Sequence, residues 1–175
     1  MPVGEPGGGT RKKATRGCPC GYLGDATRIC RCSETRIEAY RSRISGPLLD
    51  RIDLIVEVPR VMAQDLSAPP GESSATVRAR VVAAQARQRA RLDLDRAAPV
   101  ENARLTAPQV RRYAQLTPSA KRVLDVSATA GLFSARAYEK VMKVALTLAD
   151  LAARDRVDEE HIAESIGLRS VETRR

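Results

Sequence analysis

Four cysteines stand within fifteen residues of this chain: Cys18, Cys20, Cys30 and Cys32. They read Cys-Pro-Cys, then nine residues, then Cys-Arg-Cys. Thiolate is a soft ligand, and four thiolates suit a tetrahedral zinc ion. In a reducing compartment, two close pairs joined by a short loop point to metal sooner than to disulfides. Zinc-binding pairs usually hold two or more residues between their cysteines, so the single-residue gap is atypical and free thiols are the alternative. Gly21 and Gly24 allow the intervening loop to turn tightly. His161 is the only histidine and lies far along the chain, so any such site is all sulfur.

The second chemistry-bearing residue type is arginine. Lys and Arg total 30 against 21 Asp and Glu, a net charge of +9, and only five of the 30 are Lys. The guanidinium fork pairs with phosphate through two parallel hydrogen bonds, so the balance fits nucleotide or nucleic acid; solvated surface arginines are the alternative. Arg80, Arg87 and Arg91 fall on one flank of a predicted helix over 74–92, with Arg78 and Arg89 on the other. They are candidates for weak phosphate contacts to DNA, against the simpler reading of a solvated helix face. Arg136 falls in the first turn of another predicted helix, where a cation opposes the macrodipole and an anion would offset the cost. Arg51 stands between Asp50 and Asp53, where a local ion pair is the plain reading. Gly4 and Gly9 have the spacing of a phosphate-binding loop, but Thr10-Arg11 stands where that motif needs Lys and Ser/Thr. No other segment matches the motif.

These residues need elements to hold them. Hydrophobic residues make up 43% of the chain, with one Phe and no Trp, so the core must be built from Leu, Val, Ile and Ala. Residues 1–17 are Gly-rich and basic and read as a disordered tail. Ser33 caps a predicted helix over 34–43, with Ile37, Tyr40 and Ile44 on one face. Residues 52–58 alternate as a strand closed by Pro59. Residues 61–73 read as a loop. Beyond Leu105 the pattern is that of a helical bundle. Thr106 and Gln109 form a capping box with a Leu105–Val110 staple. Thr117-Pro118 opens the next helix and Gly131 ends it. Ser134 starts the strongest amphipath, with Tyr138, Val141, Met142, Ala145, Leu148, Ala149 and Ala152 in one stripe. Asp158 caps a last helix, with a Val157–Ile162 staple, closed by Gly167. No apolar run reaches the length of a membrane span, and no secretory signal opens the chain, which makes the cytoplasm the expected compartment.

Four blocks occur in order: Cys-Pro-Cys-Gly-Tyr-Leu-Gly-Asp at 18–25, Arg-Ile-Ser-Gly-Pro-Leu-Leu-Asp-Arg-Ile-Asp-Leu at 43–54, Gly-Glu-Ser-Ser-Ala-Thr-Val-Arg-Ala-Arg-Val at 71–81, and Leu-Phe-Ser-Ala-Arg-Ala-Tyr-Glu-Lys-Val-Met-Lys-Val-Ala-Leu-Thr-Leu-Ala-Asp-Leu at 132–151. Over about 18–169 the chain resembles the C-terminal part of the magnesium-chelatase-like AAA+ ATPases of the ComM/YifB branch. The resemblance implies a mainly α fold: the end of an AAA+ α/β core with its Cys-rich loop over 18–60, a loop and long Arg-rich helix over 61–103, a helical lid over 104–169, and a short tail over 170–175. It also implies ATP and Mg as cofactors, a homo-oligomeric ring, DNA as partner in branch migration, and no membrane. Arg51 resembles the arginine finger that reaches a neighbouring subunit's γ-phosphate. Arg136 resembles sensor 2, presented to the nucleotide of its own subunit.

The family pattern is incomplete here. Thr15-Arg16-Gly17 stands where the family has a Met-Asn-Pro whose Asn is sensor 1, and Walker A and Walker B are absent. The expectation is a truncated or frame-shifted product that does not hydrolyse ATP alone. Two other readings stay open: a free-standing zinc-bearing module that binds nucleic acid, and a non-functional remnant. Aromatic stacking platforms are nearly absent, which weakens single-stranded recognition.

Overall fold

The computed structural model describes residues 17–25, 27–49, 51–56, 58, 61–94 and 101–169. The expected tail over 1–17 (apart from Gly17), the last residues 170–175 and Asp50 lie outside them. The chain divides into two compact units, Met1–Gly46 and Pro47–Arg175. The architecture is helical, with no strand among the described residues.

In the first unit the cysteine loop leads into α1, Glu34–Arg41. Ser33 has extended backbone, and its hydroxyl accepts the Arg36 N–H at 3.4 Å, as the capping pattern requires. A single helical turn, α2, spans Gly46–Leu49 at the junction.

The second unit holds the bundle. After a 3-10 turn at Ala63–Ser67, α3 runs Ser74–Leu94. A second 3-10 turn at Asn102–Arg104 leads into α4, Ala107–Ala114, then α5, Pro118–Thr129, α6, Ala135–Leu151, and α7, Glu159–Gly167. Each start carries its sequence signature. Gln109 reaches back to the Thr106 N–H (3.0 Å), Thr117 caps through the Ala120 N–H (3.2 Å), and Ser134 caps through the Ala137 N–H (3.3 Å). Asp158 and His161 exchange bonds, the Asp158 N–H donating to His161 Nδ1 and the His161 N–H to Asp158 Oδ1. Gly131 ends the α5 region in the left-handed conformation at φ 72°, which a Cβ would strain. Gly167 instead remains within α7, whose C-cap is Leu168.

α6 is the central element, packed against α3, α4 and α7, while α5 packs on α7. The core joins Leu105, Val110, Leu124, Val141, Leu146 and Ile162, all at most 2% exposed. Because neighbours cover α6 on several sides, its buried surface is wider than one stripe: Ala137, Leu146 and Asp150 are buried beside Val141, Met142, Ala145 and Ala149, whereas Ala152 is exposed. Two backbone bonds staple the bundle's loops, Val157 N–H to Ala114 O and Thr117 N–H to Val157 O, each 3.0 Å.

The expected strand at 52–58 does not form. A strand needs a partner ladder, and none is present among the described residues. The segment is instead pinned to the end of the bundle: the Ile55 N–H donates to Leu168 O (2.7 Å), Arg169 Nη1 donates to Ile52 O (2.7 Å), and Lys140 pairs with Asp53 (2.7 Å). Its alternating apolar residues then stay open, with Val56 and Val58 65% and 86% exposed. The 61–73 stretch, expected as loop, contains the 3-10 turn and an exchange in which Asp65 accepts the Met62 N–H (2.9 Å).

One polar cluster lies inside the bundle. Asp150 on α6 has no exposed side-chain surface and accepts from Arg91 Nη1 (3.0 Å), Arg91 Nη2 and Asn102 Nδ2 (2.8 Å). Truncating one partner of a buried pair leaves the other charge uncompensated. Asp150→Ala should therefore lower unfolding free energy by about 3–5 kcal/mol. Urea unfolding followed by helical circular dichroism measures it, and an unshifted midpoint would show that the cluster holds nothing.

Candidate functional site

The four cysteines converge. Their sulfurs all lie within 4.8 Å of one another, with Cys18–Cys20 at 3.3 Å, Cys20–Cys30 at 3.6 Å and Cys18–Cys30 at 3.7 Å. The loop achieves this through two left-handed glycines, Gly21 at φ 80° and Gly24 at φ 79°. Nothing lies within 4 Å of a Cβ built on Gly24, so its need is conformational and not steric. The Gly21 N–H closes a turn on Cys18 O and the Asp25 N–H one on Tyr22 O, each 3.1 Å. Asp25 Oδ1 then gathers the Thr27 N–H, the Thr27 hydroxyl and the Arg28 N–H.

The thiols polarise one another. Burial acts to raise the Cys18 thiol, but bonds from the Cys20 thiol, the Leu23 backbone, the Cys30 thiol and the Gly21 backbone outweigh it and bring it down to about 6. At Cys30 the Cys32 backbone bond acts to lower the pKa, while burial and the Cys20, Cys18 and Cys32 side chains together push it up to about 12. Hydrogen bonding and burial thus split the sulfurs, one tending to the thiolate and its neighbour to the thiol. A bound cation favours the thiolate form of a coordinating thiol. None of the four cysteines is joined in a disulfide.

Arg51 is exposed, in a turn where its N–H donates to Leu48 O at 3.1 Å, immediately before the pinned segment. Asp53 is taken by Lys140 and not by Arg51. Arg136 is the second residue of α6 and is exposed. Lys140 lies one helical turn further along α6, so the ion pair that fixes Asp53 ties the Arg51 segment to the helix that carries Arg136. At the same end of α6 a cleft is lined by Arg111, Ala128, Phe133, Ser134, Tyr138 and Glu139. Phe133 and Tyr138 meet there with ring centroids 6.3 Å apart. Burial and the nearby Asp125 charge raise the Tyr138 phenol, against a smaller lowering by Arg111.

The three arginines of the α3 flank have unequal surroundings. Arg80 forks onto Glu72 at 2.8 and 3.0 Å, on the surface. Arg87 donates to Arg154 O (2.8 Å), pairs with Asp155, and lies 3.8 Å from Asp150. Its Nε is buried with no hydrogen-bond partner. Arg91 faces inward, its side chain 15% exposed, on Asp150 and Asn102. Of the α3 stripe, Ala84 is buried, Val77 and Val81 are 37% and 40% exposed, and the Leu92 side chain lies outside the described set. Helical spacing put Arg87 and Arg91 on one flank but gave no partner for them. Asp150 was the missing signal: the one charge in the mostly apolar run Ala145 to Leu151.

Family models match nearly the whole chain. Residues 12–66 match that of magnesium chelatase, subunit ChlI, and residues 71–169 match that of its C-terminal region. The first match begins ahead of Cys18, where the residue-level resemblance set in. An uncharacterized protein YifB of Salmonella typhimurium is 36% identical over 144 residues, 81% of this chain and 27% of that protein. An uncharacterized protein of Mycobacterium tuberculosis H37Rv is 35% identical over 164 residues, 93% of this chain and 31% of that one. The competence protein ComM of Haemophilus influenzae is 33% identical over 143 residues, 81% of this chain and 27% of ComM. The chain therefore spans about a third or less of the length of these curated relatives.

The arginine surroundings separate two roles by stability. Arg80→Ala removes an exposed pair and should cost less than about 1 kcal/mol. Arg91→Ala leaves Asp150 short of its main partner and should cost about 3 kcal/mol or more. Equal denaturation midpoints for the two variants would contradict the inward assignment of Arg91.

Proposed function

Because the chain belongs to the magnesium chelatase ChlI family, we propose that it is the lid-bearing part of a magnesium-chelatase-like AAA+ ATPase that couples ATP hydrolysis to DNA movement in a homo-oligomeric ring. The observation that carries the reading is the pair Arg51 and Arg136. Both are exposed and both are set by anchored backbone: Arg51 beside a segment pinned at Ile52, Asp53 and Ile55, Arg136 at the capped start of α6. Neither makes an ion pair among the described residues. A guanidinium held without an internal counter-ion is available for a phosphate.

In this reading Arg51 is the finger, reaching the nucleotide of the neighbouring subunit and stabilising charge that develops during phosphoryl transfer. Arg136 is sensor 2. It meets the nucleotide of its own subunit at a helix N-terminus, where phosphate offsets the dipole penalty of a cation. The Phe133–Tyr138–Arg111 cleft at the same helix end offers the mixed apolar and cationic surface a nucleotide requires. ATP and Mg would be held chiefly by Walker residues, which this chain does not contain, so the chain alone should not turn over ATP. The cysteine cluster takes one structural zinc. No helix among the described residues is long and apolar enough to cross a membrane.

DNA contact falls to the exposed arginines. Arg80 is already forked onto Glu72, so the test falls on Arg78, exposed on the same helix. Arg78→Ala should weaken DNA binding uniformly across sequences and reduce the salt slope by about 1. Binding that is indifferent to salt would instead support a specific recognition module, the second reading, which rests on the cysteine cluster.

The ATPase reading is tested in a full-length relative at the arginines aligned with Arg51 and Arg136. Replacing the first by Ala should leave ATP affinity nearly intact and cut turnover by about 10³-fold or more, since a finger acts on the transition state. Replacing the second should also weaken nucleotide binding. Normal turnover without the first arginine would remove the finger assignment.

A further inference from the structure

The described part of the Met1–Gly46 unit has almost no apolar interior. Among its described residues Cys18 alone is buried. α1 has no buried residue, and Ile29 is 89% exposed. Burial of Ile37, Tyr40 and Ile44 is partial. A segment of this size cannot meet the entropy of folding from so little apolar contact. α1 has eight residues, well short of the ~12–15 at which an isolated helix becomes even marginal in water.

The helix is nevertheless clipped to the cysteine loop at both ends. Its N-cap, Ser33, directly follows Cys32, and Arg41 in its last turn donates through Nε to Gly17 O (3.3 Å), next to Cys18. What the clips converge on is the sulfur cluster. A single tetrahedral ion with ~2.3 Å metal–sulfur bonds places its ligands roughly 3.8 Å apart. The sulfur separations among Cys18, Cys20 and Cys30, 3.3, 3.6 and 3.7 Å, are close to that value, and Cys32 lies within 4.8 Å of each. An iron–sulfur cluster inserts its own iron and sulfide atoms between the thiolates and spreads them further. Among single divalent ions, an all-thiolate tetrahedron favours zinc.

We propose that one zinc ion is the core of this unit: residues 17–46, α1 included, fold when zinc binds and unfold when it leaves, while the bundle of Pro47–Arg175 folds without it. The proposal rests on the zinc reading given above. Its physical basis is that a site absent from the unfolded chain makes binding free energy into folding free energy. The bundle has its own apolar core of Leu105, Val110, Leu124, Val141, Leu146 and Ile162, and no cysteine.

The test uses the full chain, purified under reducing conditions without chelator, assayed for zinc, stripped with a chelator, and retitrated while amide resonances are followed by NMR. One zinc per chain is expected. On stripping, the amide signals of 17–46 should collapse to random-coil positions and return with one equivalent of zinc, while those of 107–167 stay fixed. Cys30→Ser should give the collapsed spectrum of 17–46 even with zinc present, over an intact bundle spectrum. Ile37→Ala, which would dissolve an apolar core, should leave the zinc-loaded spectrum of the unit folded. Zinc that binds without changing the 17–46 signals would overturn the proposal and leave the zinc site standing. So would loss of the bundle on stripping, or an unfolded zinc-loaded Ile37→Ala. Absence of any stoichiometric metal would remove the zinc reading and the proposal together.

Discussion

The placement of the long helix depends on one carboxylate. Asp150 sits in the middle of a bundle whose core is mainly aliphatic, and it receives the Arg91 fork and the Asn102 amide at once. Asn102 passes the contact on, accepting from Arg91 (3.0 Å) and donating to Thr147 (3.1 Å). Two arginines, Arg87 and Arg91, face two carboxylates, Asp150 and Asp155, so the cluster is balanced in charge. A planar fork held at two points fixes orientation as well as distance, which lysine would not do. Since residues 74–83 of α3 are exposed throughout, the clamp near its other end, with Ala84, governs where that half of the helix points. A helix is stiff enough that an anchor in its last turns directs its first ones.

The two units are held by different physics. In Pro47–Arg175, side chains at helical spacing bury one another, and the ion cluster adds direction. In the described part of Met1–Gly46 the side chains mostly face water, and closure depends on backbone turns, two left-handed glycines, the Asp25 hub and the converging sulfurs. The contrast explains why the cysteines are grouped so closely. Where a short stretch cannot bury enough apolar area, a few strong directional bonds can replace a large number of weak contacts.

Sequence made the bundle legible because its signals are local. Thr106, Thr117, Ser134 and Asp158 each announce a helix start within four residues, and each is a cap in the structure. The strand at 52–58 was misread because alternation reports two unlike faces and not the presence of a partner. Here the backbone donors and acceptors turn to Leu168 and Arg169, more than a hundred residues away, and no period reveals that. The cysteine cluster was legible from residue type despite its unusual spacing. The inward roles of Arg87 and Arg91 were not, because a charge on a helix reads as solvated until its counter-charge, on another helix, is located.

That last point bears on how arginines should be sorted in a chain with 25 of them. Composition makes each one a candidate for phosphate, and only the surroundings separate them. Arg91 and Arg87 are spent on internal carboxylates, Arg80 is shared with Glu72, and Arg169 is committed to backbone carbonyls at Ile52 and Asp53. Those commitments have a positional consequence. By fixing α3, α6 and the 52–55 segment, they hold the backbone around Arg51 and Arg136, and neither of those guanidiniums makes an ion pair among the described residues. Affinity for an external anion requires a cation that the fold has not already neutralised, on a backbone that does not have to be ordered at the moment of binding. In the reading proposed above, the engaged arginines supply the second condition, and Arg51 and Arg136, which make no ion pair among the described residues, would meet the first.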